Sequence, residues 1–282
     1  MPLSPDHHDS VGDGVDVSLL VISHGHEKWL PRCIGSVSAA LSGVNSEILV
    51  LDNLGRDLSA SLPSLEIPIR LLSNRQPQGF AANVNYLVSQ CRGSNVIVLN
   101  PDTEFVGGQI ANACDYLRKH PEVGLLACRL LNRDGSVQQS CRPFPTLLYF
   151  LIRGLGLESK FPSYSQKMSM NAFLFDEATP VDWVFGAFLM FRRAEFQSIG
   201  GMDPGFPLYY EDVDLALRYR QLGKITVYFP KLLFYHAHLR TSAQRPLGRQ
   251  WWYHGYSAVR FFIKHRYIWK LRLPTVTVSP ES

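Results

Sequence analysis

The sequence predicts an α/β protein built on a mostly parallel, doubly wound central sheet, and three observations carry that expectation. Runs such as VSLLVIS (residues 17–23) and NVIVL (residues 95–99) are apolar without alternation, as strands buried on both faces must be. Segments with apolar residues at helical spacing separate them, so strand and helix alternate along the chain. Asp, Asn or His follows one strand run after another, and ligands bind beyond those strand ends in such sheets. A chain of 282 residues, 46% apolar and 18% charged, has enough material for a sizeable core.

Taken in order, residues 17–23 read as the first strand, and Leu30, Cys33, Ile34, Val37, Ala40 and Leu41 form the apolar stripe of a first helix. Residues 46–51 (SEILVL) are the second strand and run into Asp52-Asn53. Residues 69–72 are a short third strand, and residues 79–90 (GFAANVNYLVSQ) lead from a loop into a helix. The strand at 95–99 ends at Asn100-Pro101-Asp102. Residues 106–120 then read as a helix stopped by Pro121, residues 123–131 as a strand, and Asn132-Arg133-Asp134-Gly135 as a turn. The pattern weakens over 142–179, where residues 144–157 form an apolar helix and residues 158–179 a loop over the site. Strand character returns at 181–191 (VDWVFGAFLMF), in which Gly186 permits close approach of a ligand or backbone. A short helix over 192–201, a helix beginning at the acidic Glu211-Asp212-Val213-Asp214 cluster, and a strand over 225–229 complete the order. His236 and His238 follow that strand.

The acidic cluster has two readings. Carboxylates in a first turn suit the positive end of a helix dipole, and Asp214 can serve backbone N–H groups there. Three carboxylates in four positions, directly after Tyr209-Tyr210, exceed what capping needs, and like charges shift one another's pKa as a base requires. The strand-end residues His24, Asp52, Asn53, Asn74, Asn100 and Asp102 also have a plain alternative, since Asp and Asn are common in turns. Their repetition at strand after strand favours a ligand site.

Several classes are excluded. No GxGxxG follows the first strand and no GxxxxGK[ST] occurs, so neither a dehydrogenase nor a P-loop enzyme is indicated. The five cysteines form no CxxC pair and lie in apolar runs, as buried thiols of a reducing compartment do. His236-x-His238 lacks further ligands at zinc spacing. A net charge of +4 does not indicate nucleic acid, and no apolar run reaches membrane-spanning length. The first 16 residues are polar, without a signal-peptide core, so a flexible tail and a cytoplasmic protein are expected.

The blocks VSLLVISHGHEKWLPRCIGSV, EILVLDN, GFAANVN, VIVLNPDTEF, VDWVFGAFLMFRRAEFQSIGGMDPGFPLYYEDVDLALRYRQLG and YHAHLRTS occur in the order shown. In that combination the chain resembles the inverting family-2 glycosyltransferases of GT-A fold, and is most similar to their bacterial rhamnosyltransferase branch. The resemblance implies a donor site at Ser23, His24, Asp52, Asn53, Asn74, Gly79, Phe80, Asn85, Asn100 and Asp102. Asp102 would take the last position of the family's DxD motif and share a divalent metal, Mg²⁺ or Mn²⁺, with His236. Asp212 would be the base that deprotonates the acceptor hydroxyl, with Glu211 beside it, and Trp183 and Gly186 would border the acceptor. Asn100 stands where the motif has its first Asp, which removes one anionic ligand.

The implied organisation is a nucleotide-sugar half at 17–104, an acceptor and catalytic half at 105–245, and a helical extension at 246–282. The implied activity is transfer of a sugar, rhamnose from dTDP-rhamnose being one candidate, to a glycan or polyprenyl-linked acceptor. The alternatives are a non-catalytic sugar-nucleotide or glycan-binding module and a sugar-phosphate nucleotidyltransferase; the latter lacks its Gly-rich basic loop here. The segment 248–272 interleaves Trp251, Trp252, Tyr253, Tyr256, Phe261, Phe262 and Trp269 with Arg249, Arg260, Lys264, Arg266 and Lys270. It reads either as a terminal helix packed on the domain or as an interfacial helix whose cations meet an anionic membrane surface from the cytoplasmic side.

Overall fold

The computed structural model describes residues 14–163, 175–237 and 249–266. Their order is β1 (Val17–Ser23), α1 (Leu30–Ala40), β2 (Ser46–Asp52), β3 (Ile69–Ser73), α2 (Phe80–Gln90), β4 (Asn95–Leu99), β5 (Thr103–Gly107), α3 (Ile110–Lys119) and β6 (Val123–Leu131). There follow β7 (Cys141–Arg142), α4 (Leu147–Gly154), β8 (Thr179–Val181), β9 (Trp183–Val184), β10 (Phe188–Arg192), α5 (Arg193–Ser198), α6 (Glu211–Gln221), β11 (Ile225–His236) and α7 (Arg249–Lys264).

One nine-stranded sheet organises the molecule, in the order β3-β2-β1-β4-β10-β6-β11-β5, with β8 also paired to β11. Strands β3, β2, β1 and β4 are mutually parallel, β10 runs against both β4 and β6, and β11 runs parallel to β6. The alternating side chains of each central strand feed two separate cores. Val17, Leu19 and Val21 pack with α1 and α3, whereas Leu20 and Ile22 pack with α2, α6 and α7. Continuous apolar strands are therefore required, because each fully buried Leu, Val or Ile contributes about 1.5–3 kcal/mol on whichever face it lies. The cysteines are free, and Cys33, Cys91, Cys128 and Cys141 are buried.

Three expectations change. The helix anticipated over 106–120 is preceded by a strand: β5 covers Thr103–Gly107, and α3 begins only at Ile110. Gly108 turns the chain between them at φ +97, packed so closely on Lys231 that an added Cβ would lie 2.2 Å from its carbonyl oxygen. The single strand expected over 181–191 is three pieces, interrupted at Asp182 and at Phe185-Gly186-Ala187. The strand expected to end at Phe229 continues through Pro230 to His236, with register shifts on both sides of the bend. The first 13 residues, residues 164–174 of the anticipated loop, His238, Trp269 and Lys270 lie outside the described residues.

Candidate active site

The carboxyl ends of β1, β2 and β3 converge on one network of amides. Asn53 Nδ2 donates to His24 Nδ1 at 3.0 Å and to the Gln78 carbonyl at 2.9 Å. Its Oδ1 accepts from Asn74 Nδ2 at 2.8 Å and from the Gln78 backbone N–H at 2.9 Å. Asn74 Nδ2 donates a second bond to Asn83 Oδ1 at 2.8 Å, and Asn83 Nδ2 reaches the Gln78 carbonyl at 3.2 Å. Asp52 accepts from the backbone N–H groups of Leu54 and Arg56, which folds its own loop around the carboxylate. Ser23 accepts from the His26 backbone N–H. Burial holds the His26 imidazole below its usual pKa, against the opposing pull of the Asp102 charge. Asn53, Asn83 and Asp52 are almost fully buried, so their hydrogen bonds fix rotamers and leave little freedom in this part of the cleft.

At the end of β4, Asn100-Pro101-Asp102 makes a tight turn into β5. The Asn100 carbonyl accepts from Thr103 Oγ1 at 2.6 Å. Antiparallel pairing of β5 with the far half of β11 sets His236 opposite Thr103. That register brings His236 Nε2 to 3.5 Å from Asp102 Oδ1, although 134 residues separate them. Gln138 determines which imidazole nitrogen faces the carboxylate. Its Nε2 donates to the His236 carbonyl at 2.7 Å and to that of Leu131 at 3.4 Å, so Oε1 is the atom 3.0 Å from His236 Nδ1. An oxygen there accepts the Nδ1 proton and leaves Nε2 as the acceptor nitrogen of the neutral ring. Among the described residues no cluster of three or more His, Cys, Asp and Glu side chains is placed to hold a metal; Asp102 and His236 are a pair.

The second acidic centre lies at the head of α6. Asp212 Oδ2 accepts from the Gly186 backbone N–H at 3.2 Å, and its Oδ1 from that of Val213 at 2.8 Å. A Cβ placed on Gly186 would lie 3.7 Å from the Phe80 ring and 3.9 Å from Asp212 Oδ2, so Phe80, Gly186 and Asp212 share one small space. Burial raises the Asp212 carboxyl above its ordinary range. Glu211 is raised further, by burial and then by the Asp212 charge, and its Oε2 is a buried oxygen with no hydrogen-bond partner. Within one helix turn the sign reverses. Burial would raise Asp214 too, but the His265 hydrogen bond and the Arg218 and Lys264 charges outweigh it and hold that carboxyl low.

The backbone leading into α6 is strained. Tyr209 and Tyr210 adopt φ 62 and φ 68, left-handed values that cost a non-glycine residue about 1–2 kcal/mol each. Helix α7 holds them in place. His254 packs on both rings with centroids 5.5 and 5.6 Å away, Phe261 packs on Tyr210 at 5.4 Å, and Ser257 Oγ donates to the Leu208 carbonyl at 2.8 Å. The terminal segment thus supports the turn that presents Glu211 and Asp212. Its cations correct a reading from sequence: Arg260 and Lys264 turn inward to Asp203 at 3.1 and 2.7 Å, and Lys264 also meets Asp214 at 2.6 Å.

Backbone contacts join the two acidic centres. Asn100 N–H donates to the Ala187 carbonyl at 2.9 Å, and the preceding residue, Gly186, donates to Asp212. Asn85, within α2, does not join the strand-end residues; its amide is exchanged with the Met202 backbone, at 2.8 and 2.9 Å. Trp183 lies on the small β7–β9 ladder with Nε1 donating to the Pro143 carbonyl at 2.9 Å, and its ring packs on Phe185. Gly79 caps α2 and accepts from the Asn83 N–H. Gln138, Gln78 and His265 escaped the sequence reading. Gln138 lies in a VQQS stretch without strand or helix periodicity, and only the fold shows that it meets His236.

Comparison with known proteins bears on this arrangement. Over 272 residues the chain is 27% identical to the N-acetylglucosaminyl-diphospho-decaprenol L-rhamnosyltransferase of Mycobacterium tuberculosis, covering 90% of this chain and 87% of that protein. It is 25% identical over 224 residues to the rhamnosyltransferase WbbL of Escherichia coli, covering 76% of this chain and 80% of that one. Among solved structures, the mannosyltransferase of Pyrobaculum calidifontis in complex with GDP-Man and Mn²⁺ superposes with a TM-score of 0.57 at 17% identity, over 92% of this chain and 65% of that chain. GalNAc-T7 with UDP, GalNAc and Mn²⁺ gives the same TM-score at 14% identity, over 79% and 44%. These likenesses establish the GT-A fold, and the chain spans only part of the length of both structures. The model of the family described as glycosyl transferase family 2 matches residues 18–178, which takes in the amide network and Asp102 and stops short of Asp212 and His236. With more than half of the chain inside that match, and with two rhamnosyltransferases aligned across most of it, the chain belongs to glycosyl transferase family 2.

Proposed function

We propose that the protein is an inverting, metal-dependent glycosyltransferase. It moves a sugar from a nucleoside diphosphate donor to a hydroxyl of a glycan or polyprenyl-linked acceptor at the cytoplasmic face of a membrane. The observation that carries this reading is the backbone link from Asn100, two residues before Asp102, through Ala187 and Gly186 to Asp212, a carboxylate of raised pKa. Rhamnose from dTDP-rhamnose is the favoured donor, because both relatives named above are rhamnosyltransferases.

In this reading residues 17–104 hold the donor and residues 105–245 bind the acceptor and the base. Asp212 takes the proton of the acceptor hydroxyl, a step worth about 10²–10⁴-fold in rate when the base is correctly placed. The two backbone N–H groups on Asp212 orient it and keep it ionised against the effect of burial. Glu211, buried and raised higher, stays protonated while Asp212 ionises, which spares the site a second negative charge. Asp102 and His236 fit a divalent cation: Gln138 turns an acceptor nitrogen toward a carboxylate oxygen 3.5 Å away. Such a cation would neutralise charge on the departing diphosphate, and the imidazole suits Mn²⁺ better than Mg²⁺.

The test is incubation with a panel of sugar nucleotides, Mn²⁺ and a polyprenyl-diphosphate-linked acceptor, with the product's anomeric configuration read by NMR. Inversion with stoichiometric release of nucleoside diphosphate is expected. Retention of configuration, or donor binding with no release, would overturn the reading.

A further inference from the structure

Fourteen large hydrophobic side chains are exposed among the described residues, and eight of them sit on two neighbouring segments. Helix α7 presents Trp252, Tyr256, Val259 and Ile263, a spacing of four, three and four residues that makes one continuous face. Its other face, with Ala258 and Phe261, is fully buried in the core. Helix α4 and the turn beyond it present Leu148, Leu151, Leu155 and Phe161. The last four surround an apolar depression of about 350 Å³. The two helices touch through Phe150 and Phe262, whose ring centroids are 6.0 Å apart. A patch of this extent on a soluble surface marks an interaction site.

Charge narrows the partner. Residues 147–163 and 249–266 together contain six Lys and Arg residues and one acid, Glu158. Arg260 and Lys264 are turned into the domain, Arg153 is exposed and meets Glu158 at 3.9 Å, and Lys160 and Arg266 are exposed. Two copies of this surface placed face to face would oppose like charges, which disfavours self-association. An anionic lipid surface complements the cations, takes up the leucines, and suits the Trp and Tyr at headgroup depth. No helix among the described residues is long and apolar enough to cross a membrane.

We propose that the exposed faces of α4 and α7 dock the protein on an anionic membrane surface by shallow insertion of their apolar side chains. The proposal rests on the reading of a lipid-linked acceptor and adds where and how the protein meets the bilayer. Because α7 carries His254 against Tyr209 and Tyr210 on its inner side, docking sets Glu211 and Asp212 roughly one helix diameter, about 10 Å, behind the contact surface. A sugar attached to a membrane-anchored diphosphate extends over that range, so one helix both supports the catalytic turn and fixes its height above the lipid.

The experiment is flotation with phosphatidylcholine vesicles containing phosphatidylglycerol, at low and high salt, for the full chain and for the double variant Leu151→Glu/Ile263→Glu. Both positions are exposed and outside the reaction site. The full chain is expected to float with vesicles, to retain part of its binding at high salt, and to show tryptophan quenching by lipids with brominated acyl chains that Trp252→Phe removes. The double variant should bind at least about tenfold more weakly, equivalent to about 1.4 kcal/mol, while turning over a water-soluble acceptor analogue normally. Unchanged flotation of the double variant would overturn the proposal, as would a concentration-dependent dimer of the full chain that the variant abolishes. Normal turnover without flotation of the full chain would refute docking and leave the transferase reading standing. Flotation without turnover would refute the transferase reading alone.

Discussion

The strand ends of the first half and the head of α6 are built on opposite principles. Around Asn53 and Asn74 neutral groups pair with one another, from His24 to Asn83. At α6 two adjacent tyrosines sit at positive φ, Glu211 has a buried oxygen without a partner, and two neighbouring carboxyls are pushed up by burial. A network of matched amides holds a shape; strain and unbalanced charge are tolerated where a proton must move. The difference supports the proposal that the first region binds and the second reacts.

The largest effect expected from that division is at Asp212. Asp212→Asn retains the acceptor for the Gly186 N–H and removes the base, so kcat should fall by about 10²–10⁴-fold in steady-state assays. Near-normal turnover would move the role to another carboxylate. Next comes the Asp102–His236 pair. Asp102→Ala should abolish the stimulation of donor binding by Mn²⁺, measured by titration calorimetry; stimulation undiminished in the variant would separate Asp102 from the cation. The same measurement on Gln138→Leu should show metal affinity reduced by about 10–100-fold, the usual cost of losing the group that orients a histidine ligand.

The amide network sharpens the comparison through stability. Asn74→Leu removes the donor to buried Asn83 Oδ1, a loss of about 1–3 kcal/mol, while Asn53 Oδ1 keeps the Gln78 N–H. The denaturation midpoint should drop accordingly, with only a secondary effect on kcat. The remaining effect is electrostatic and is read as a slope of stability against pH. A carboxyl whose folded pKa lies above its unfolded value binds protons more tightly when folded, so it lowers stability as pH rises from the unfolded pKa through the folded one. Glu211, raised from 4.5 to about 8, should make the protein less stable between those limits as pH increases, and Glu211→Gln should flatten that slope in urea titrations. Asp214, held low, acts oppositely: its contribution is present above the unfolded pKa and disappears as acid protonates it.

How much of this was legible in the sequence follows from the range of the contacts. β1, α1, β2, β3, α2 and β4 were readable because local period and continuous apolar runs dictate them, and the strand-end residues came with them. β5 was not, because TEFVG is a strand only through its pairing with a part of β11 that the sequence gives no reason to extend past Pro230. That same pairing brings His236 to Asp102, so a predicted contact was built by an unpredicted strand. The orientation of α7 was likewise hidden: helical spacing gave an aromatic and basic helix, but only Asp203 and Asp214 reveal that Arg260 and Lys264 face inward. Asn85 lies in a helix whose start was correctly read, yet its amide serves Met202, 117 residues away.

The division between a binding edge and a reacting edge is tested most directly by measuring donor affinity and turnover together in Asp212→Asn, by calorimetry and single-turnover kinetics on the same preparation. The account predicts a donor Kd within about twofold of the unaltered protein, because Asp212 contacts no group of the amide network, together with a loss of at least about 10²-fold in the transfer step. Donor affinity and transfer falling by the same factor would contradict it, since Asp212 would then hold the donor rather than activate the acceptor.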